Sequence, residues 1–374
     1  MLRTGAAASL GVSDPLRATQ IAPGNARAAV AAVRARVEAG DNVASPALRS
    51  QVRAALLRDV TLPAAIELCA VQLEATGNAR RASRLFELSS AISRRSLPTR
   101  LWLIQRSVDH GDVAGALANF DLALRTSSAA PEVLFPVLAS AATDPQLVRP
   151  IARLLDRPSD WRAMFLSYAI HEGGEAAAMA EVVLRMRDRG AVTAAKADQM
   201  LIGQLVKQGA FAVAHRIHAA FGRAGSRAAL VIDPDFDDAE SRYPFGWGLT
   251  DAAQTGAARG RVGGSAALVY RAVPGAAGQV ATQLLMLKPG AYRLVTASAA
   301  PPSADAPFWT VTCASRGGAQ IALLSLPAET RVVAGADFTV PAGCDGQWLG
   351  FNLRASDRPG GQAGAVRSVS VQRR

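Results

Sequence analysis

The side chains in this sequence that are fit for chemistry are few, and most come late. Five acids fall between residues 233 and 240: Asp233, Asp235, Asp237, Asp238 and Glu240. Alternating carboxylates are the right ligands for a hard cation, so Asp233, Asp235 and Asp237 are the candidates for a structural calcium site. The run lacks the turn glycine and the distal bidentate glutamate of an EF-hand loop. The other reading is a polar linker with Phe236 dipping into a core. Aromatic rings follow in Tyr243-Pro244-Phe245-Gly246-Trp247. A ring set beside hydrogen-bonding groups suits a sugar, whose C–H faces stack while its hydroxyls find polar partners. Tyr243 beside Arg242, and Trp309 after the proline-rich loop 300–307, are the residues singled out for ligand binding, with core packing as the alternative for each ring.

Cys313 and Cys344 stand at the end and the start of strand-like segments. They are either a disulfide pinning two strands or two buried thiols. The disulfide is the reading taken here, and it implies an oxidising compartment. Two thiols with no histidine nearby do not make a zinc site. His215 and His218 are three apart and share a helical face, yet no third ligand stands at a suitable spacing, so they are read as packing residues. Cys69, Trp102 and Trp161 fall on apolar helical faces and are expected in the core.

No catalytic signature is present. The sequence has no G-x-S-x-G elbow, no phosphate-binding loop with its G-K-[ST] end, no strand–G-x-G-x-x-G–helix unit and no H-E-x-x-H. All four histidines precede residue 219, which leaves the later part without a Ser-His or Cys-His pair. The acid run is the one place where paired carboxylates could act on a glycosidic bond. A glycan-active enzyme is therefore the lesser reading and a non-enzymatic protein the main one, with no cofactor beyond the possible calcium.

The elements that must position these residues change character near residue 228. At 374 residues two domains are expected. Before residue 228 the apolar residues recur with helical period. After it, short alternating segments are punctuated by Gly and Pro, as in Lys288-Pro-Gly290 and Pro341-Ala-Gly343. The segments 267–271, 279–287, 292–296, 309–313, 320–324, 331–333, 337–340, 347–353 and 366–371 read as strands, and the apolar run Leu230-Val231-Ile232 reads as the first strand of the second domain. That rhythm is the size of a two-sheet sandwich.

The charge divides in the same way. Residues 1–228 hold 28 basic and 19 acidic residues, or +9; residues 229–374 hold 13 and 11, or +2, which completes the net +11. A basic helical half could meet nucleic acid, but its arginines are dispersed and no polar pair recurs at fixed positions to read bases, so nucleic acid is not an expected partner. No run of about 18 apolar residues exists to form a transmembrane helix. The start, MLRTGAAASLGV, is short and weakly apolar for a signal peptide. Residues 1–20 are expected to be disordered or a partial leader. The protein is then either cytosolic or begins downstream of a true anchor.

A repeat of 34 residues relates Gly77, Ala82 and Phe86 to Gly111, Ala116 and Phe120. Glycine permits a tight turn between helices, alanine lets two backbones approach, and phenylalanine fills the space against the next unit. Looser copies follow Gly24/Ala29/Val33, Gly173/Ala178/Val182 and Gly209/Ala214/His218. The pattern resembles a degenerate tetratricopeptide repeat without the early Trp and Tyr of that family. The resemblance implies an α-α solenoid over 21–226 that binds a protein partner.

The later part resembles the galactose-binding-like jelly roll of carbohydrate-binding modules. The likeness rests on Asp233…Phe236…Pro244-Phe245-Gly246-Trp247, on Leu287-Lys-Pro-Gly-Ala-Tyr-Arg-Leu294 and on the final strand 366–371. It implies an antiparallel β-sandwich over 227–374, a glycan or second protein as ligand, and a structural calcium in the acid run. Together these readings describe a multidomain α plus β protein: a non-catalytic scaffold or tether of the bacterial cell envelope, in polysaccharide synthesis or export. The alternative is a cytosolic adaptor with both cysteines reduced.

Overall fold

The computed structural model describes residues 14–172, 176–187, 195–221, 229–238, 242–300, 306–315, 317–330 and 332–374. Several expectations lie outside these residues: most of the 1–20 leader, Gly173 of a loose repeat copy, Glu240 of the acid run, part of the loop 300–307, and Arg331. The chain divides into two compact units, Met1–Ala191 and Val192–Arg374. Thirteen α-helices among the described residues precede ten β-strands, so the α plus β architecture read from the sequence is the one found.

In the first unit the helices pack as consecutive hairpins. Pro63–Ala75 lies against Ala79–Ile92, and Leu97–Asp109 against Val113–Thr126. Their starts are written in the sequence. Ser45, Ser96 and Asp112 cap the first turns with their side chains, and Pro46 and Pro63 occupy opening positions where the missing N–H costs nothing. Their ends depend on glycine. Gly77 and Gly111 adopt φ of 81° and 68°, and the next residue donates its N–H back across the last turn, Asn78 to Leu73 O and Asp112 to Ser107 O. After each turn the small residue and the ring are buried, Ala82 with Phe86 and Ala116 with Phe120. Gly209 makes the same turn in the second unit, whereas Gly24 is not left-handed.

A buried polar node crosses these hairpins. The Glu67 carboxylate accepts from Arg34 at 2.8 Å, Ser89 at 3.1 Å and Thr99 at 3.0 Å, joining four helices. Trp161 is buried as expected and donates to Asp121. Trp102 is only partly covered: it stacks on Phe86 and donates to Glu74. Cys69 is also partly exposed, in the lining of a cleft, and not the enclosed hydrophobe expected. Among the described residues no helix is long and apolar enough to cross a membrane.

The second unit comprises the helices Ala195–Lys207 and Phe211–Phe221 and two five-stranded antiparallel sheets. One sheet runs β1 (Gly248–Leu249), β4 (Gly278–Leu285), β9 (Gln347–Leu353), β6 (Phe308–Cys313), β7 (Gln320–Ser325). The other runs β2 (Thr255–Val262), β3 (Ser265–Ala272), β10 (Gln362–Arg373), β5 (Gly290–Ala300), β8 (Val333–Val340). The inner faces share one core that includes Trp247, Leu268, Tyr270, Leu294, Trp309, Leu349 and Phe351. Cys313 and Cys344 are bridged, with Cα atoms 5.5 Å apart. Closing a loop of 31 residues removes enough chain entropy to stabilise the fold by ~3–4 kcal/mol.

Two expectations change here. Leu230-Val231-Ile232 is not the first strand. The backbone of Ile232 is held by one side chain, Gln283, which accepts from its N–H at 2.9 Å and donates to its carbonyl at 2.8 Å, doing the work of a missing ladder. Trp309 is not a ligand platform. Its exposure is 0%, its ring packs against Trp247 and Phe351, and its Nε1 donates across the sandwich to Thr296 Oγ1 at 3.0 Å. A ring enclosed on both sides cannot meet a sugar. Trp309→Ala should therefore cost about 3–5 kcal/mol, read as a lower denaturation midpoint by near-ultraviolet circular dichroism. A loss under about 1 kcal/mol would contradict this packing.

Candidate functional site

Strand alternation decides which side chains of the β4–β9–β6 sheet reach its outer face. In β9, Leu349, Phe351 and Leu353 point into the core, which leaves Trp348, Gly350 and Asn352 outside. In β6, Trp309 and Val311 point inward, which leaves Phe308, Thr310 and Thr312 outside. The register lines these residues up in rows. Thr282, Gly350 and Thr310 stand side by side, as do Leu284, Trp348 and Thr312. Asn352 and Phe308 form a third row.

Gly350 is the floor of this face. It has no Cβ, and the Gln279 amide lies in the space a side chain would need. Thr310 Oγ1 accepts from Asn352 Nδ2 at 3.0 Å. Beyond Asn352, the Arg354 guanidinium lies 4.4 Å from the centre of the Phe308 ring. On the other side stands the Tyr243 ring, 46% exposed. It lies nearly parallel to Trp348, at 17° with centroids 6.1 Å apart, and over Gly248, whose missing Cβ admits it.

The knot from Tyr243 to Trp247 sets that ring in place. The Tyr243–Pro244 peptide is cis. Pro244 O accepts from Leu284 N, and Tyr243 O accepts from Gln199 on the helix Ala195–Lys207. Phe245 is buried against the rings of His215 and His218, each 5.0 Å away. Trp247 enters the core and donates its Nε1 to Asp233 O at 2.8 Å. Burial, with His215 and Arg242 adding like charge, lowers the His218 pKa to about 4. Burial also lowers that of His215.

The sequence candidates thus separate. Tyr243 reaches the face with its ring exposed, and Arg242 is exposed beside it, near His218. Trp309 lies beneath the face, inside the core. Asp233, Asp235 and Asp237 do not gather: among the described residues no group of three potential ligands is placed to hold a metal ion. Asp233 sits at φ 55°, and its carboxylate is engaged by Arg259 at 2.8 Å and by the Asp238 N–H at 3.0 Å. Burial pushes its carboxyl above the usual range, while those hydrogen bonds pull it down. Asp235 and Asp237 face solvent. Cys313 and Cys344 are joined as read. Trp348, Gln279, Gly350 and Asn352 were not singled out from the sequence, although the alternation in Gln347–Leu353 placed three of them on one face.

The arrangement offers an aromatic surface beside two amides, a threonine hydroxyl and an arginine. Such a set can hold a neutral polyhydroxylated ligand by C–H contact and by mixed donor and acceptor hydrogen bonds. The residues named on this face carry no carboxylate.

No family model and no curated protein sequence matches the chain. Several solved structures align with part of it, two of them as follows. One is the enzymatically active domain of tailspike protein 4 of bacteriophage CBA120, at 18% identity and a TM-score of 0.26, covering 34% of this chain and 19% of that one. The other is the carbohydrate-binding module TmCBM61 in complex with β-1,4-galactotriose, at 11% identity and a TM-score of 0.28, covering 39% of this chain and 99% of that one. The chain thus spans about a fifth of the tailspike domain's length.

The two histidines packed on Phe245 make the seat of the knot sensitive to acid. A histidine whose pKa is lowered on folding binds its proton first in the unfolded chain. Stability is full above the ordinary value of 6.5 and falls as pH drops from there toward about 4. Thermal midpoints measured across that window should decline more steeply in the wild type than in His218→Gln. Superimposable profiles would contradict the assignment.

Proposed function

We propose that this chain is a non-catalytic tether of the bacterial cell envelope whose sandwich binds a glycan and whose helical hairpins bind a protein partner. The observation that carries the glycan reading is the Tyr243–Trp348 ring pair beside the floor at Gly350, flanked by Gln279, Thr310 and Asn352. The ring pair supplies a surface for the C–H face of a pyranose. The exposed Gln279 amide supplies both a donor and an acceptor, and Arg354 further donors, which sugar hydroxyls require. A lining without carboxylates favours binding over hydrolysis.

Two further observations support the rest of the reading. The Cys313–Cys344 bridge suits an oxidising compartment. Apolar side chains stand exposed on the helices, among them Leu88, Ile92, Val133 and Val137, as a partner-binding array would need. A protein that holds a glycan at one unit and a partner at the other would serve polysaccharide synthesis or export.

The test uses the full chain on an array of neutral oligosaccharides that includes β-1,4-linked galactosides and glucosides. Retention of at least one is expected. Tyr243→Ala and Trp348→Ala should each weaken the retained ligand by about tenfold. Val269→Ser, on an exposed position of the opposite sheet, should leave binding unchanged. An array with no retained glycan, or ring variants that bind like the wild type, would contradict the reading.

A further inference from the structure

The first unit holds a second site. A cleft of about 220 Å³ opens between the helices Pro46–Arg58 and Pro63–Ala75. Its walls are Arg49, Arg53 and Leu56 on one side and Cys69, Gln72, Leu73 and Thr76 on the other. Arg49 and Arg53 stand four residues apart, so their side chains leave the helix on one face. Both are exposed, and no carboxylate lines the cleft with them. Opposite them Gln72 is only 5% exposed, and its Nε2 has no hydrogen-bond partner. A buried amide donor left unpaired costs free energy until something accepts from it.

The other groups narrow what that something is. The Thr76 hydroxyl already donates to the carbonyls of Gln72 and Leu73. Burial raises the Cys69 pKa, which keeps the thiol protonated and uncharged. The cleft therefore presents two guanidinium groups and one amide N–H, all donors, over a floor of Leu56, Leu73 and the Cys69 sulfur. We infer that this cleft binds a small organic carboxylate, with its carboxylate on Arg49, Arg53 and the Gln72 amide N–H and its hydrocarbon body against Leu56, Leu73 and Cys69. A planar carboxylate matches the fork of a guanidinium and needs few donors. The apolar floor favours an anion that carries a hydrocarbon body, which inorganic phosphate lacks. The volume limits the ligand to a body of a few carbons, below that of a drug-sized molecule.

Cys69 gives the site its own reporter. Of the three cysteines, Cys313 and Cys344 are bridged, so Cys69 is the one free thiol. Hexanoate is the probe, with hexanol as its uncharged analogue and inorganic phosphate as an anion without a hydrocarbon body. Calorimetric titration of the full chain should show saturable hexanoate binding, and hexanoate should slow iodoacetamide labelling of Cys69 several-fold. Hexanol and phosphate should do neither at the same concentration. The double variant Arg49→Gln, Arg53→Gln changes two exposed side chains and should weaken hexanoate at least about tenfold. The inference is overturned if calorimetry detects no hexanoate binding up to about 10 mM, if hexanol or phosphate protects Cys69 equally, or if the double variant binds hexanoate as tightly as the wild type.

Discussion

The sandwich depends on one side chain that spans it. Trp309 leaves β6 toward the interior, meets Trp247 and Phe351, and donates its indole N–H to Thr296 on β5 of the other sheet. Thr296 in turn donates to the carbonyl of Ser368 on β10, so the bond passes from one sheet into the ladder of the other. Buried polar atoms need partners, and this bond is possible in only one alignment of the two sheets. The same constraint builds the candidate site. With Trp309 and Phe351 pointing inward, period-two alternation forces Thr310, Gly350 and Asn352 outward and into register. The candidate face is the reverse side of the core.

Much of this was legible in the sequence where local pattern decides structure. Gln347–Leu353 is a strand with the bounds expected of it, because its apolar residues alternate and its flanks are turn-forming. The hairpin glycines Gly77 and Gly111 were legible because only a left-handed turn explains glycine at those positions, and both adopt one. β2 was missed. Its sequence, TGAARGRV, is poor in β-branched and aromatic residues, so the hairpin turn at Gly263-Gly264 that pairs it with β3 had no strand pattern before it to be read with. Val333–Val340 is one strand where two were expected, since Gly335 admits the Arg293 side chain across the ladder and does not break the strand.

The site was harder to read because its parts meet only through tertiary contacts. Trp309 looked like a ligand ring for its place after a proline-rich loop, yet its phase with Val311 and Cys313 already assigned it to the core. Trp348 has the opposite phase and faces out. Its contact with Tyr243 joins residues 105 apart in the chain. The path of the knot fixes that contact, and Phe245, seated between two histidines, anchors the knot. The acid run was hard to read for a related reason. The partner of Asp233 is Arg259, which lies on the strand that was not foreseen.

The fold therefore supplies a rigid face with an aromatic rim, and the functional account stands on that face. Indole nitrogen resonances distinguish it from the core most directly. In the ¹⁵N-edited spectrum of the full chain, titration with a retained oligosaccharide should shift the Trp348 indole signal and leave that of Trp309 in place. A glycan that binds while the Trp348 signal stays fixed would contradict the account.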